Sequence, residues 1–372
     1  MAAIDELQEM GQSLWLDSIS RRMLDSGTLA GYIRNHGISG LTSNPTIFDN
    51  AIASSHDYDG AIQAQRGKGM SSENRFFDIA LMDLTRAADR FRPIFDASEG
   101  REGWVSIEVS PLLAHDTAQT MRAAVILHER ARRPNLFIKI PGTSEGLKAV
   151  EESIFAGIPI NITLLFSRAQ CLAASTAYLR GIDRRVAAGL DPKVASVASL
   201  FVSRWDAAVN PSLPPPLRNR VGIAVATQSY RAHLQVLASA RWLRLANAGA
   251  IPQRLLWAST GTKDPTAPDT LYVDSLVARD TINTLPERTL LAFADHGRPR
   301  NALDSEGGDM DEVLAQCATA GIDINILAAR LQKEGEAAFI TSWNHLLVRI
   351  AGKADELGDA DARAIPDQAL QG

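Results

Sequence analysis

The stretch Trp104-Val-Ser-Ile-Glu-Val-Ser110 decides the fold, because its aliphatic residues alternate with polar ones and with a carboxylate. Successive side chains of a β-strand point to opposite faces, so the valines and the isoleucine share one face and Glu108 lies on the other. A strand of a parallel sheet is covered on both faces and should be apolar throughout. A carboxylate at this position therefore indicates either a face exposed to solvent or an interior that contains polar groups.

The same alternation recurs in three other segments, in which the aliphatic residues form one face and the polar ones the other: Ser13-Leu-Trp-Leu-Asp17, Leu136-Phe-Ile-Lys-Ile140 and Ile158-Pro-Ile-Asn-Ile-Thr-Leu164. In the third segment we assign Leu164 to the aliphatic face. An antiparallel sheet with one wet face would explain the pattern, but long helix-like connections favour parallel strands. The polar faces of all four strands are then predicted to line a barrel axis.

Eight β-like segments alternate with helix-like stretches such as 116–133 and 167–188. This alternation predicts a parallel sheet with helical crossovers, and eight strands favour a closed barrel over an open sheet. The predicted fold is therefore α/β, a single (β/α)8 TIM barrel with additional helices at both termini. We predict strands at 13–18, 38–44, 104–110, 135–141, 159–166, 195–203, 254–260 and 271–278.

A single domain is predicted over residues 1–352, followed by a polar, Ala/Asp-rich tail at 353–372 that we expect to be loosely ordered. The proline-rich stretch 210–217 could be a linker, but strand–helix alternation resumes after it, which favours a surface loop. Residues 310–352 are predicted to be helical, with an apolar stripe that packs against the barrel: Trp343, Leu346, Leu347 and Ile350.

Composition and charge exclude several classes of protein. The net charge of −5 provides no general basic surface for nucleic acid. No apolar run approaches the ~20 residues that a membrane span needs, so we expect no membrane association. The first residues are acidic and do not resemble a signal peptide, and Cys171 and Cys317 are predicted to be buried free thiols. The cytoplasm is the expected location.

The sequence offers no recognisable site for a metal or a nucleotide. The seven histidines are scattered, and neither a Rossmann-type nor a Walker-type glycine motif is present. No cofactor and no metal are therefore expected, so any carbon–carbon bond chemistry must use a protein side chain.

Lys139 is the candidate for that side chain. If the polar strand faces line the barrel axis, Lys139 lies in the interior together with Asp17, Glu108, Asn161 and Thr163. Burial disfavours the charged form of an amine, and a neutral amine can attack a ketone to form an iminium ion, which is an electron sink. The pattern alone leaves open a purely structural ion pair between Lys139 and one of the two carboxylates.

Several of these segments resemble the signature sequences of transaldolases over about residues 10–350. The two main segments are Gly40-Leu-Thr-Ser-Asn-Pro-Thr-Ile-Phe48 and Leu136-Phe-Ile-Lys-Ile-Pro-Gly-Thr-Ser-Glu-Gly-Leu147. Supporting blocks are Leu14-Trp-Leu-Asp-Ser-Ile-Ser-Arg21, Ser106-Ile-Glu-Val-Ser-Pro111, Asn161-Ile-Thr-Leu-Leu-Phe166, Phe201-Val-Ser-Arg204 and Trp257-Ala-Ser-Thr-Gly-Thr-Lys263.

The resemblance implies an enzyme of the non-oxidative pentose phosphate pathway, in the longer bacterial subclass. Such an enzyme moves a dihydroxyacetone unit from sedoheptulose 7-phosphate or fructose 6-phosphate to glyceraldehyde 3-phosphate or erythrose 4-phosphate. The expected partners are these sugar phosphates, with the chain a monomer or a homodimer.

The resemblance also assigns roles to residues. Lys139 would form the Schiff base, Asp17 would take the C4 hydroxyl proton, and Glu108 and Thr163 would hold a water for proton transfer. The remaining positions would bind substrate: Asn44 and Asn161 the hydroxyls, Ser199 and Arg204 the phosphate, with Ser259 and Lys263 nearby. Without the resemblance, Asn44 could equally be a turn residue before Pro45, and Arg204 a surface residue at a helix start.

Two other functions remain open at this level. A simple aldolase would use the same lysine but release free dihydroxyacetone. A catalytically silent barrel would bind sugar phosphates without forming an adduct.

Overall fold

The computed structural model describes residues 2–65, 68–300, 302–303 and 309–364, and its centre is a closed barrel of eight parallel strands. Each strand pairs with the next along the chain, and the eighth strand closes the barrel on the first. The predicted (β/α)8 fold is therefore confirmed. The strands are β1 (Ser13–Leu16), β2 (Gly40–Leu41), β3 (Trp104–Glu108), β4 (Leu136–Pro141), β5 (Ile160–Leu165), β6 (Ser196–Phe201), β7 (Arg254–Ala258) and β8 (Ile282–Leu285).

Helices connect the strands and surround the barrel. Several of them begin at side-chain caps: Thr143 and Ser167 accept hydrogen bonds from the first turns of the helices Ser144–Phe155 and Arg168–Ala187. The helices are α1 (Ala2–Glu9), α2 (Arg21–Asp25), α3 (Thr28–His36), α4 (Pro45–Ala53), α5 (Asp59–Gln63), α6 (Ser72–Ala97), α7 (Thr117–Ala131), α8 (Ser144–Phe155), α9 (Arg168–Ala187), α10 (Ser203–Val209), α11 (Val221–Leu237), α12 (Ala240–Asn247), α13 (Leu271–Ser275), α14 (Glu287–His296), α15 (Met310–Thr319) and α16 (Ile324–Ala364).

The predicted eighth strand at 271–278 is wrong. That segment contains the short helix α13, and the strand that closes the barrel is β8, a few residues later. A short, continuous apolar run does not distinguish a buried helical turn from a buried strand. Tyr272 and Val273 are buried within that turn, while Ile282 pairs with Ser13 of β1.

The barrel wall has the two faces that the alternation predicted. The aliphatic residues of β1, β3, β4 and β5 pack outwards in one cluster with the surrounding helices. Trp15, Trp104 and Phe137 fill the interior, with the rings of Trp104 and Phe137 stacked 4.0 Å apart. Gly40 is required opposite them, because a Cβ there would lie 2.5 Å from the indole of Trp15.

Leu164 departs from this pattern. The pairing of β5 with β6 is irregular between Ile162 and Leu165, and Leu164 adopts a left-handed conformation with a φ of 57°. The extra residue shifts the alternation, so Leu164 joins the cluster that contains the interior side chains, and Leu165 takes the outer position. The prediction that Leu164 lies on the outer face was therefore wrong.

The C-terminal helix α16 packs against α4, α5 and α6, with Trp343 edge-on to Phe76 and Leu346 and Ile350 buried. The predicted apolar stripe thus covers helices around the barrel. The predicted boundary at residue 352 falls within α16, which continues to Ala364, whereas residues 365–372 of the predicted tail lie outside the described residues.

The proline-rich stretch forms two 3₁₀ turns, Asn210–Ser212 and Pro215–Leu217, between α10 and α11. Cys171 and Cys317 are free and buried, as predicted. Among the described residues no single helix is long and apolar enough to cross a membrane, although α15 and the described part of α16, bent by 91°, pass that test as a pair on length and composition.

Candidate active site

A cavity opens at the carboxyl ends of the strands, with about 780 Å³ of empty space when the open solvent at its mouth is included. Residues of β4 to β8 and residues that follow β1, β2 and β7 converge on it, because in a parallel barrel all carboxyl ends meet at one mouth. Eight of the ten predicted site residues line this cavity: Asp17, Asn44, Lys139, Thr163, Ser199, Arg204, Ser259 and Lys263. The other two, Glu108 and Asn161, are buried directly beside these side chains.

Lys139 lies at the boundary between the packed interior and the cavity. The residue is only 5% exposed, and its Nζ donates to Glu108 Oε2 at 3.1 Å and to the carbonyl oxygen of Ser43 at 3.3 Å. The ion pair that the sequence left open is therefore present, but the amine also faces the empty space of the cavity. The lysine is thus both paired and accessible to a small molecule.

Strand register explains why these groups lie in one layer. Glu108 of β3 is opposite Lys139 of β4, which in turn is opposite Asn161 of β5. Since residues in register on neighbouring parallel strands point the same way, the three side chains enter the barrel together.

Both carboxylates in the site have a raised tendency to be protonated. Burial raises the pKa of Glu108, opposed by the nearby Lys139, and Asp17 raises it further. Burial also raises the pKa of Asp17, opposed by Lys139 and by the hydrogen bond from Thr42 Oγ1 to Asp17 Oδ1 at 2.7 Å. Two carboxyl groups that can exchange protons therefore flank one amine.

A chain of hydrogen bonds joins polar side chains of β6, β5 and β3 beside the cavity. Ser199 Oγ donates to Asn161 Oδ1 at 2.7 Å, and Asn161 Nδ2 donates to Ser106 Oγ at 3.2 Å. Thr163 Oγ1 is fully buried and has no partner among the described residues, although it lies at the cavity. A buried hydroxyl without a partner is a natural place for an ordered water or a substrate group.

The outer end of the cavity is cationic. The guanidinium of Arg204 lies 5.1 Å from the ring of Phe201 and 6.0 Å from that of Phe339, and no carboxylate in the described chain forms an ion pair with it. Burial lowers the pKa of Arg204, opposed by Glu334. Lys263 is exposed at the same opening. Ser259 also lines the cavity and has a left-handed backbone with a φ of 56°. Its hydroxyl oxygen lies 3.1 Å from that of Ser203, within hydrogen-bond distance.

Asn44 combines the two readings that the sequence left open. Its Oδ1 accepts a hydrogen bond from the amide of Ile47 at 3.0 Å, which caps α4 just before Pro45, and the residue also lines the cavity. The cap fixes the orientation of the side chain at the mouth. Arg204 likewise lies in the first turn of α10 and faces the cavity.

The comparisons with known proteins agree with this geometry. The family model described as "Transaldolase/Fructose-6-phosphate aldolase" matches residues 14–350. The chain belongs to this family. A relative from Thiobacillus denitrificans, named "Transaldolase", is 43% identical, with 93% of this chain and 98% of its own length covered.

Other members of the transaldolase/fructose-6-phosphate aldolase family are similarly close. The proteins from Saccharopolyspora erythraea and Neisseria gonorrhoeae, both named "Transaldolase", are 41% and 40% identical. The matches cover 95% and 93% of this chain, and 98% and 99% of the two relatives. The likeness therefore extends over whole chains and not over a single motif.

Sequence reasoning missed three contributors to the site of this family member. Thr42 binds Asp17, the carbonyl of Ser43 accepts from Lys139, and Phe339 of α16 lies over the cavity with its ring centroid 5.7 Å from Lys139 Nζ. Alternation along 38–44 could have placed Thr42 inside the barrel. No local pattern distinguishes Phe339 from an ordinary packing residue of a helix.

Proposed function

We propose that this protein is a transaldolase that transfers a dihydroxyacetone unit between sugar phosphates through a Schiff base on Lys139. The donor is sedoheptulose 7-phosphate or fructose 6-phosphate, and the acceptor is glyceraldehyde 3-phosphate or erythrose 4-phosphate. One observation carries the proposal: a buried amine shares a hydrogen bond with a carboxyl group and faces an open cavity that also contains a second carboxyl group.

The first half of the proposed reaction is formation of the adduct. The amine of Lys139 adds to the donor ketone carbon C2, and loss of the resulting hydroxyl as water leaves an iminium ion. Glu108, whose pKa is raised, supplies the proton to the departing oxygen, and Thr163 Oγ1 holds the water that relays it.

The second half breaks the bond between C3 and C4. Asp17 accepts the C4 hydroxyl proton, the electron pair of the bond passes into the iminium, and the aldose leaves an enamine on Lys139. The acceptor aldehyde then receives that electron pair from C3, Asp17 returns its proton to the new hydroxyl, and hydrolysis releases the product and the lysine.

The remaining site residues position the substrate. Asn44 and Asn161 bind hydroxyls of the dihydroxyacetone unit, and Ser199 and Ser259 lie along the sugar. The terminal phosphate binds Arg204 at the outer end, with Lys263 as a second, less specific charge. A phosphate there would supply the counter-ion that Arg204 does not find among the described carboxylates.

The family description also names fructose-6-phosphate aldolase, which gives a second candidate function. An aldolase would release free dihydroxyacetone, because water would complete the reaction in place of an acceptor. The names of the relatives favour transfer. Release of dihydroxyacetone without an acceptor, at a rate equal to that of transfer, would instead support the aldolase.

The decisive experiment is borohydride reduction in the presence of fructose 6-phosphate, followed by peptide mass spectrometry. We expect a reduced dihydroxyacetone adduct on Lys139 and on no other lysine. An unmodified Lys139 in an enzyme that still turns over would reject the mechanism. A silent barrel would be stabilised by sugar phosphate but would form no adduct, and Lys139→Ala would leave the transfer activity of cell extracts unchanged.

We also propose that the enzyme acts in the cytoplasm, as a monomer or a homodimer, on small-molecule substrates and without nucleic acid or membrane partners. Two buried free cysteines fit a reducing compartment. Ultracentrifugation would determine the oligomeric state.

A further inference from the structure

The C-terminal helix α16 crosses the mouth of the barrel close to the cavity. Gln332 Nε2 donates to the carbonyl oxygens of Gly142 and Leu164, at 3.1 Å and 2.9 Å, which ties the helix to the ends of β4 and β5. Further along, Ser342 Oγ accepts from Thr46 Oγ1 at 2.8 Å, which ties it to α4. The segment between these two anchors is held over the site.

Three residues of that segment share one face of the helix. Gln332, Gly335 and Phe339 are spaced by three and four residues, so they lie in line along the side that faces the barrel. Each makes a different contact: the first anchors the helix, the second lies against Arg204, and the third lines the cavity. We refer to these three residues as the mouth face of α16.

Gly335 is an unusual residue for the middle of a long helix, since glycine is a poor helix former. Its position has a steric reason. A Cβ at Gly335 would lie 3.0 Å from Arg204 Nη1 and 3.0 Å from Leu164 Cδ2. The missing side chain therefore lets the guanidinium lie against the helix backbone.

Phe339 holds the same guanidinium from another side. Its ring is 6.0 Å from Arg204 Cζ and 6.5 Å from the ring of Phe201, which itself lies 5.1 Å from Arg204 Cζ. Two aromatic rings and a helix backbone thus confine a cation that has no carboxylate partner in the described chain. This confinement keeps Arg204 in place without an ion pair, although Glu334 lies near enough to interact with it electrostatically, so the guanidinium remains available to bind an anion.

We propose that the mouth face of α16 is a specificity-determining surface, which positions Arg204 for the terminal phosphate and thereby makes the enzyme select phosphorylated donors. This inference deepens the proposed function and rests on it. Gly335 and Phe339 are positioning residues in this proposal, since they act through Arg204. The ring of Phe339 also lies 5.7 Å from Lys139 Nζ, and for that reason the test uses a ratio between two donors, in which an effect on the amine common to both donors cancels.

The test compares fructose 6-phosphate with unphosphorylated fructose as donors, at one fixed acceptor, and takes the ratio of their kcat/KM values. We expect both Gly335→Ala and Phe339→Leu to lower this ratio about tenfold, since stacking and placement of the cation are lost. The stabilisation of the folded enzyme by inorganic phosphate, measured as a shift in Tm, should shrink in parallel and needs no turnover.

Gly335→Ala separates positioning from a structural role. Alanine is the better helix former, so Tm without ligand should stay the same or rise while selectivity falls. Gly352→Ala is the matched control on the same helix, because a Cβ at Gly352 meets nothing within 4 Å. It should leave both the ratio and the phosphate-induced shift unchanged.

In an Arg204→Ala background, neither α16 substitution should change the ratio further if the mouth face acts through Arg204. The inference is overturned if the ratio is unchanged in both single variants. It is also overturned if adding either α16 substitution to Arg204→Ala lowers the ratio a further tenfold. Borohydride trapping on the same samples separates this failure from that of the proposed function: an adduct on Lys139 with unchanged selectivity overturns only the role of α16.

Discussion

The two ends of the barrel each bury a cation with a carboxylate, but they use the pair differently. At the amino ends of the strands, Arg254 is bound to Glu102 at 2.7 Å and also donates to Ser13 Oγ and to the backbone oxygens of residues 101, 280 and 281. At the carboxyl ends, Lys139 has Glu108, one carbonyl and an open cavity.

The difference is consistent with a structural charge at the amino ends and with the reactive amine that we propose at the carboxyl ends. All the nitrogens of the guanidinium of Arg254 are engaged, so nothing further can bind it without displacing protein groups. Lys139, in contrast, lines the cavity at the carboxyl ends, where a substrate carbonyl could reach its amine in the proposed reaction. Between the two pairs, stacked Trp104 and Phe137 with Trp15 fill the interior. Arg254 also lines a cavity, so a buried charge beside a cavity does not by itself mark a catalytic group; the two ends differ in how fully protein groups engage each cation.

Lys139→Met should show the largest effect, and it should separate the role of the Lys139–Glu108 pair from that of the Arg254–Glu102 pair. Removing the nucleophile is expected to lower kcat/KM for transfer by about 10⁴-fold or more. Stability should change by less than about 2 kcal/mol, because Glu108, whose pKa is already raised by burial, can take up a proton when its partner is lost. Coupled assays of transfer and urea unfolding would measure the two effects. A large loss of stability would make this pair structural, like that of Arg254.

Asp17→Asn should uncouple adduct formation from cleavage. Loss of the base that takes the C4 hydroxyl proton is expected to lower turnover by about 10³-fold. Thr42 can still donate to the retained side-chain oxygen, so the geometry should persist. Borohydride should continue to trap donor on Lys139. A variant that turns over normally would exclude Asp17 as the base.

Arg254→Met tests the other end of the barrel. It leaves Glu102 partly buried without its cation, which should cost about 3–5 kcal/mol in the free energy of unfolding. Arg101→Met is the control, because its ion pair with Asp280 is exposed and should be worth at most about 1 kcal/mol. Kinetics of the remaining folded Arg254→Met enzyme should be close to wild type. Equal losses in both variants would contradict the structural reading of Arg254.

Glu108→Gln should give the smallest effect, visible as a change in the pH dependence of stability. Burial raises the pKa of Glu108 in the folded state above its usual 4.5, so between 4.5 and that higher value the folded protein binds more protons than the unfolded one. The protonated carboxyl group of Glu108 therefore contributes to the free energy of unfolding. That contribution is fully present below pH 4.5 and is lost as pH rises through the pKa of Glu108 in the folded state. The glutamine variant lacks it.

As pH rises from 4.5, the wild type should therefore lose unfolding free energy that the variant keeps, so the variant becomes more stable relative to the wild type. The expected size is about 1.4 kcal/mol for each unit by which the pKa is raised. Urea titrations at several pH values would measure it. A difference that stays constant over that range would show that Glu108 ionises normally in the folded protein.

Prediction from sequence succeeded where a residue's role follows from its place in a strand. Alternation, together with the long helical connections that favour parallel strands, placed Asp17, Glu108, Lys139, Asn161 and Thr163 inside the barrel, and the structure brings them together. It failed where local patterns are degenerate. The apolar run at 271–278 became α13, and the irregular pairing of β5 reversed the face of Leu164, since alternation counts residues and cannot register a bulge.

The sequence by itself determined the barrel and its polar interior, because both follow from the two-residue repeat of a strand and the connections between strands. Only the tertiary structure decided that Lys139 and Glu108 are hydrogen-bonded beside a cavity, and that Phe339, two hundred residues further along the chain, covers them. Such contacts depend on how distant segments pack, and no local sequence pattern determines the free energy of that packing.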